Sequence, residues 1–268
     1  HFNSTNNLQI NKVLISETKN EFYLSGLFNG TYSNYTTKGS SDLFVANIRN
    51  GNLTWFKQIG SPNPDLQPTI AINNDTIYFL GSLQGTVYIG DVDTLICSSS
   101  YRDMVFLKFD KNGLLLKKKR LAFGNGHIAT TSIDFDKVND RLILTGFYNN
   151  NLNIGNNQFS GANNFIAQID LNGNVIWVKN IVGNNINSRF WDSKAFDDGY
   201  YFTGWFYGNI TFDGKILSST PSNKSDFFIY KTDFNGNSIW IRKSYGSDND
   251  MVTSIVSDNY GCVYVTGY

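Results

Sequence analysis

Apolar positions along this chain come in short runs of alternating character, and no stretch of 11 or more residues carries the three-to-four spacing of a helix. The segment Asn164–Gly183 shows the pattern most clearly, as FIAQI and VIWVKNIV joined across Asn172-Gly173. Two alternating runs around an Asn-Gly pair predict a β-hairpin, because that dipeptide accepts the positive φ a tight turn requires. Close copies stand at Leu43–Gly60 and Phe227–Gly246, and a more divergent one at Met104–Gly124. Four copies of one hairpin make this a repeat protein.

A second recurring strand lies between the copies and ends in glycine, at Gly26, Gly81, Gly146, Gly204 and Gly267. Successive glycines are 55, 65, 58 and 63 residues apart, a period of about 60. A shorter apolar strand precedes each: Thr69-Ile-Ala-Ile, Thr131-Ser-Ile-Asp-Phe, Ser193-Lys-Ala-Phe and Thr253-Ser-Ile-Val. Each unit therefore reads as four up-and-down antiparallel strands, with a variable linker between the second and third. That is the pattern of a β-propeller blade. The second strands (YFL, LIL, YYF) are apolar on both faces, as expected of strands covered on each side. The repeated glycine is expected to let the next blade approach closely. Trp55, Trp177 and Trp240 recur at one position, with Lys117 replacing them in the second unit, and predict packing between blades.

The expected organisation is a single all-β propeller over residues 1–268, built from four-stranded units at about 9–66, 67–127, 128–187 and 188–248, with half a unit at 249–268. Such a count does not close a ring. It leads us to expect an arc of a larger ring of about six to eight blades, or completion by another chain. His1 in place of an initiator Met fits either a removed signal peptide or a fragment.

Composition narrows the function classes. Aromatic residues make up 15% and charged residues 16%, with zero net charge and a pI near 6.9, so no field draws nucleic acid or an anionic membrane. No apolar run is long enough to cross a bilayer, so no membrane insertion is expected. The one basic run, Lys117–Arg120, reads as a solvated edge or outer strand. Asparagine is abundant, at 36 residues, which favours turns over helices. Cys97 and Cys262 lie almost three repeats apart and are expected to stay unpaired.

The run Thr253–Tyr268 (TSIVSDNYGCVYVTGY), with DLFVANI-type and NGNLTW-type strands elsewhere, resembles the SBBP family of β-propeller repeats over essentially the whole chain. The resemblance implies an extracellular or envelope location and a structural or binding role, and is silent on activity. The second unit departs from the pattern in its missing Trp and its long linker through Cys97.

Candidate chemistry is sparse. The Asp-x-Asn-Gly turns at Asp110, Asp170 and Asp233 open like a calcium loop but lack the closing acid, so they read as plain turns. His127 is the one internal histidine, and no nucleophile elbow surrounds a serine. No zinc ligand cluster is present, and no cofactor is expected. Asp65, Asp134, Asp192 and Asp250 are the loop carboxylates from which a glycosidase pair would be built. Asp65, Asp192 and Asp250 read as lying just ahead of the first strand of their units. With His127 they form the candidate binding set at the mouth of a central funnel. Sequons occur at Asn29, Asn34, Asn52, Asn74, Asn209 and Asn223, and also at Asn3, about the number this composition yields by chance. Aromatics after the repeated glycine (Phe28, Phe147, Tyr148, Trp205, Phe206, Tyr207, Tyr268) read first as packing and second as a binding belt.

The expected function is a non-enzymatic extracellular or surface scaffold that binds a protein or glycan. Two alternatives remain at this stage: a polysaccharide hydrolase or lyase using mouth carboxylates, and a self-assembling coat or filament subunit.

Overall fold

The computed structural model describes residues 7–16, 20–183, 187–258 and 262–268, and among them there is no helix. The strands follow the repeat. The first comprises β1 (Leu8–Ile15), β2 (Glu21–Phe28), β3 (Thr31–Tyr32), β4 (Tyr35–Thr36), β5 (Asp42–Arg49) and β6 (Asn52–Gly60). The second comprises β7 (Leu66–Asn73), β8 (Thr76–Leu83), β9 (Thr86–Ile89), β10 (Asp93–Ile96), β11 (Asp103–Asp110) and β12 (Leu115–Phe123). The third comprises β13 (Ile128–Asp136), β14 (Arg141–Tyr148), β15 (Asn151–Ile154), β16 (Asn157–Ser160), β17 (Asn163–Ile169) and β18 (Val175–Gly183). The fourth comprises β19 (Arg189–Phe196), β20 (Gly199–Tyr207), β21 (Asn209–Phe212), β22 (Lys215–Ser218), β23 (Ser225–Thr232) and β24 (Ser238–Lys243). The final pair is β25 (Val252–Ser257) and β26 (Val263–Gly267).

All pairing is antiparallel, but the sheets are not the four-stranded units expected from the repeat. The linkers between second and third strands are themselves hairpins; β3-β4 forms a two-stranded sheet of its own, and the other three join the outer edge of the preceding sheet. The order is therefore β1-β2-β5-β6-β9-β10, then β7-β8-β11-β12-β15-β16, then β13-β14-β17-β18-β21-β22, with β19-β20-β23-β24 and β25-β26 following. Ile59 opposes Ile89, Ala122 opposes Ile154 and Val182 opposes Thr211, so the same position of β6, β12 and β18 receives the strap. An edge strand with free amides is a liability, and a hairpin lent by the next repeat covers it. The four-residue straps were invisible as strands because such short segments, broken by Gly and Asn, carry almost no periodicity.

The chain divides into two compact units. One holds His1–Thr130 with Asn150–Gln158, and the other holds Thr131–Asn149 with Phe159–Tyr268. The core of the first joins Tyr23, Leu43 and Val45 of its first sheet to Ile70, Phe79 and Leu107 of its second. On the opposite face of the first sheet, Phe28, Phe44 and Phe56 pack with Tyr32 of β3. The core of the second unit joins Ile143 and Ile166 to Phe190, Phe202, Phe228 and Tyr230. Second strands are buried on both faces, as in β8 and β20.

Two expectations about the framework change. A Cβ on Gly26, Gly204 or Gly267 would lie 2.0–2.1 Å from the carbonyl oxygens of Gln9, Arg189 and Met251, the first two in the first strand of the same repeat and Met251 directly before it. At these three positions the glycine thus admits a bulged first strand rather than a neighbouring sheet, whereas a Cβ at Gly81 would meet a side chain of the adjacent sheet, Leu43. The first strands are also longer than their apolar cores suggest, because a bulge interrupts their alternation, at Trp191 in β19 and at Thr253 in β25. The Asp-x-Asn-Gly turns do what was expected of them. Asp170 accepts the amides of Asn172 and Asn174 at 2.8 Å, and Gly173 has φ near 77°.

Candidate functional site

A buried polar residue near the start of each third strand, an acid in three repeats and Asn164 in the other, is framework that sequence reasoning missed. Asp42, Asp103, Asn164 and Asp226 are all buried. Asp42 accepts from the Lys38 amide and from Gln58. Asp103 accepts from the Ser98 amide and Arg120, and Asp226 from the Thr220 amide and Lys243. Each carboxylate caps the end of its linker and ties it to the fourth strand. The signal was present as the recurring D in DLF, DMV and DFF.

Asp65, His127 and Ser188 immediately precede β7, β13 and β19, and Asp250 precedes β25 by two residues. They fasten their loop to the third strand of the sheet before. The Asp65 amide donates to the Ser41 carbonyl, the Asn164 amide side chain to the Ser188 carbonyl, and the Asp250 amide to the Ser225 carbonyl. The Asp65 carboxylate is fully buried, takes hydrogen bonds from the Ser61 amide and hydroxyl at 2.7 Å, and burial pushes its pKa up to about 8. His127 accepts at Nδ1 from the Arg102 amide at 3.1 Å, and burial together with the Arg102 charge lowers its pKa.

Asp192 is not ahead of its strand. It lies inside β19 and is buried, accepting from Ser132 and its own neighbour Ser193 on one oxygen, and from Ser254 and the Ile255 amide on the other. It cross-ties β13, β19 and β25. Asp134 pairs with Lys194 at 3.0 Å and accepts the Ala195 amide. The position was misjudged because the bulge at Trp191 displaced the apparent start of the strand.

A cleft of about 370 Å³ in the second unit is lined by Lys137, Phe196, Asp197, Asp198, Tyr201 and Asp258. Its carboxylates are engaged: Asp197 with Lys137, Asp198 with Lys231 and Tyr201, and Asp258 with Tyr264 and the Cys262 amide. No acid there stands apart as a proton donor opposite a free base. Among the described residues, no three His, Cys, Asp or Glu side chains gather as a metal site. Cys97 is buried, Cys262 is exposed, and both thiols are free.

The aromatics after the repeated glycine separate into two classes. Phe28, Tyr148 and Phe206, two residues on, are core. Phe147 and Trp205, one residue on, remain partly exposed. Trp205 lies 4.9 Å, centroid to centroid, from Trp191, which is 43% exposed at its bulge. The irregular positions of β1, β7 and β25 hold Asn11, Gln67 with Pro68, and Thr253, none of them aromatic. Arg189, opposite Trp205 in register, lies with its guanidinium 3.8 Å from the Phe147 ring centroid. Beside them a hollow of about 140 Å³ is lined by Phe147, Asn149, Asn163, Asn164 and Arg189. The sequon residues Asn29, Asn34, Asn52, Asn74, Asn209 and Asn223 are all exposed, while Asn3 and His1 lie outside the described residues.

No family model and no curated protein matches the chain. Among solved structures it is similar to the endo-1,5-α-L-arabinanase of Thermotoga petrophila RKU-1, at 15% identity and a TM-score of 0.42, covering 94% of this chain and 61% of that one. The chain thus spans less than two thirds of that enzyme's length.

Proposed function

We propose that this chain is a run of β-propeller blades of the SBBP repeat type, carried by a secreted or surface protein, and that it binds glycan without turning it over. The observation that carries the reading is the half-exposed Trp191–Trp205 pair. Flat indole faces match the apolar C–H face of a sugar ring. A hollow lined by Arg189, which stands opposite Trp205 in register, also carries Asn149 and Asn163, residue types that offer both donors and acceptors to hydroxyls. At about 140 Å³ it takes a ring substituent rather than a whole ligand, so the sugar lies across the surface. The six-stranded sheets with their shared straps support the blade reading, since each sheet is both covered on its edge and joined to the next repeat. The hydrolase alternative is less favoured because the carboxylates of the cleft of about 370 Å³ in this unit are already held by cations, hydroxyls or amides.

The test is tryptophan fluorescence during titration with a panel of neutral oligosaccharides. Saturable quenching that is lost in Trp191→Ala, with no reducing ends released, supports the reading. Unchanged quenching in that variant removes the indole site, and release of reducing ends establishes the hydrolase.

A further inference from the structure

Arg102 of the first unit is held to the His127-Ile128 segment by two hydrogen bonds. The Arg102 amide donates to His127 Nδ1 at 3.1 Å, and the Ile128 amide donates to the Arg102 carbonyl at 2.9 Å. With Nδ1 accepting, the hydrogen of the neutral imidazole resides on Nε2, which becomes a donor. The Tyr101 ring meets His127 edge-on at 5.7 Å and is itself 37% exposed. The Arg102 guanidinium makes no ion pair within 4.0 Å among the described residues, and its Nε is buried without an acceptor. The acid whose charge acts on it is Asp65, whose carboxyl is pushed up to about 8 by burial and so remains protonated at neutral pH. A half-buried cation with no counter-charge is costly, and a bound oxyanion offsets that cost.

The bond between Arg102 and His127 fastens the same loop as in the sister repeats, but their side chains do not recur. Ser41, Asn163 and Ser225 occupy the place of Arg102, directly before the buried residue that opens each third strand. Asp65, Ser188 and Asp250 occupy the place of His127. We propose that Arg102, His127 Nε2–H and the Tyr101 hydroxyl form a binding site for a carboxylate, such as that of a uronic acid residue or a free organic acid. The site does not rest on the sugar reading of the indole pair, which lies in the other unit.

The experiment titrates the full chain with galacturonate, acetate and galactose, following the imidazole resonances of His127 by NMR. Saturable shifts with galacturonate and acetate but none with galactose support a carboxylate site, and tighter binding of galacturonate than acetate assigns it to uronates. Arg102→Ser, which installs the residue found in two sister repeats, should weaken binding by about tenfold or more while leaving the thermal midpoint near wild type. Equal binding of galactose, absence of shifts, or unchanged affinity in Arg102→Ser each overturns the proposal. Should that variant fold poorly, the wild-type titration alone still decides it.

Discussion

The indole nitrogen of Trp177 donates to the backbone carbonyl of Phe234 at 3.2 Å. Trp55 makes the same bond to Lys111 at 2.8 Å. In both cases the acceptor lies in the Asp-x-Asn-Gly turn of the following repeat, whose glycine packs under the ring. A Cβ on Gly236 would lie 3.1 Å from Trp177, and one on Gly113 would lie 2.9 Å from Trp55. Tryptophan and turn therefore act together, and both are framework.

Trp177→Ala should cost about 2 kcal/mol, from the lost hydrogen bond and the lost ring packing. Gly236→Ala should cost about 1–2 kcal/mol, because φ is near +80° and the methyl presses on the same ring. Urea unfolding of the two single variants and the double variant checks this. The double should lose less than the sum, since both changes act on one contact.

Asp192→Ala should be the more damaging change, at about 3 kcal/mol, because it strands the buried donors of Ser132 and Ile255 and the part-buried hydroxyl of Ser254. Hydrogen exchange should show β25 opening first, as its ties to β19 include the two bonds to the lost carboxylate. A variant melting as wild type would refute the cross-tie.

Stability should fall as pH rises between about 4 and 8, and Asp65 should account for one proton of that slope. The sign follows from burial: the folded chain keeps the Asp65 proton to about 8, while the unfolded chain releases it near 3.9. Over that window the native state binds the extra proton, so its stabilisation is complete below the lower value and lost by the upper one. Asp65→Asn should flatten the dependence of the thermal midpoint on pH. An equal slope in the variant would contradict the assignment.

Chelation should leave the thermal midpoint unchanged. The Asp110, Asp170 and Asp233 carboxylates already accept turn amides, as in the 2.7 Å bond from Asn237 to Asp233. A midpoint that drops with EDTA and recovers with calcium would show that these turns hold an ion.

Trp191→Ala should remove glycan-induced fluorescence change while moving stability by less than about 1 kcal/mol, because the side chain is near half exposed. Trp205→Ala should weaken binding and stability together, its ring being the more enclosed.

The local rules were legible in the chain itself. Alternation, the Asn-Gly turns, the recurring glycine and the recurring tryptophan specify strand identity, pairing direction and repeat boundaries, because each depends on neighbours within a few residues. Three things depended on contacts between distant segments. The straps at Thr86–Ile96, Asn151–Ser160 and Asn209–Ser218 became strands only by finding the edge of the preceding sheet. Asp192 moved from a supposed mouth to a buried tie because a bulge shifts register without leaving a compositional trace. The Trp191–Trp205 pair and the Arg102–His127 pair each join residues that look unremarkable singly, 14 and 25 positions apart in the chain. Repeat framework is encoded by recurrence; the candidate sites arise where recurrence fails and tertiary packing decides which odd residues meet.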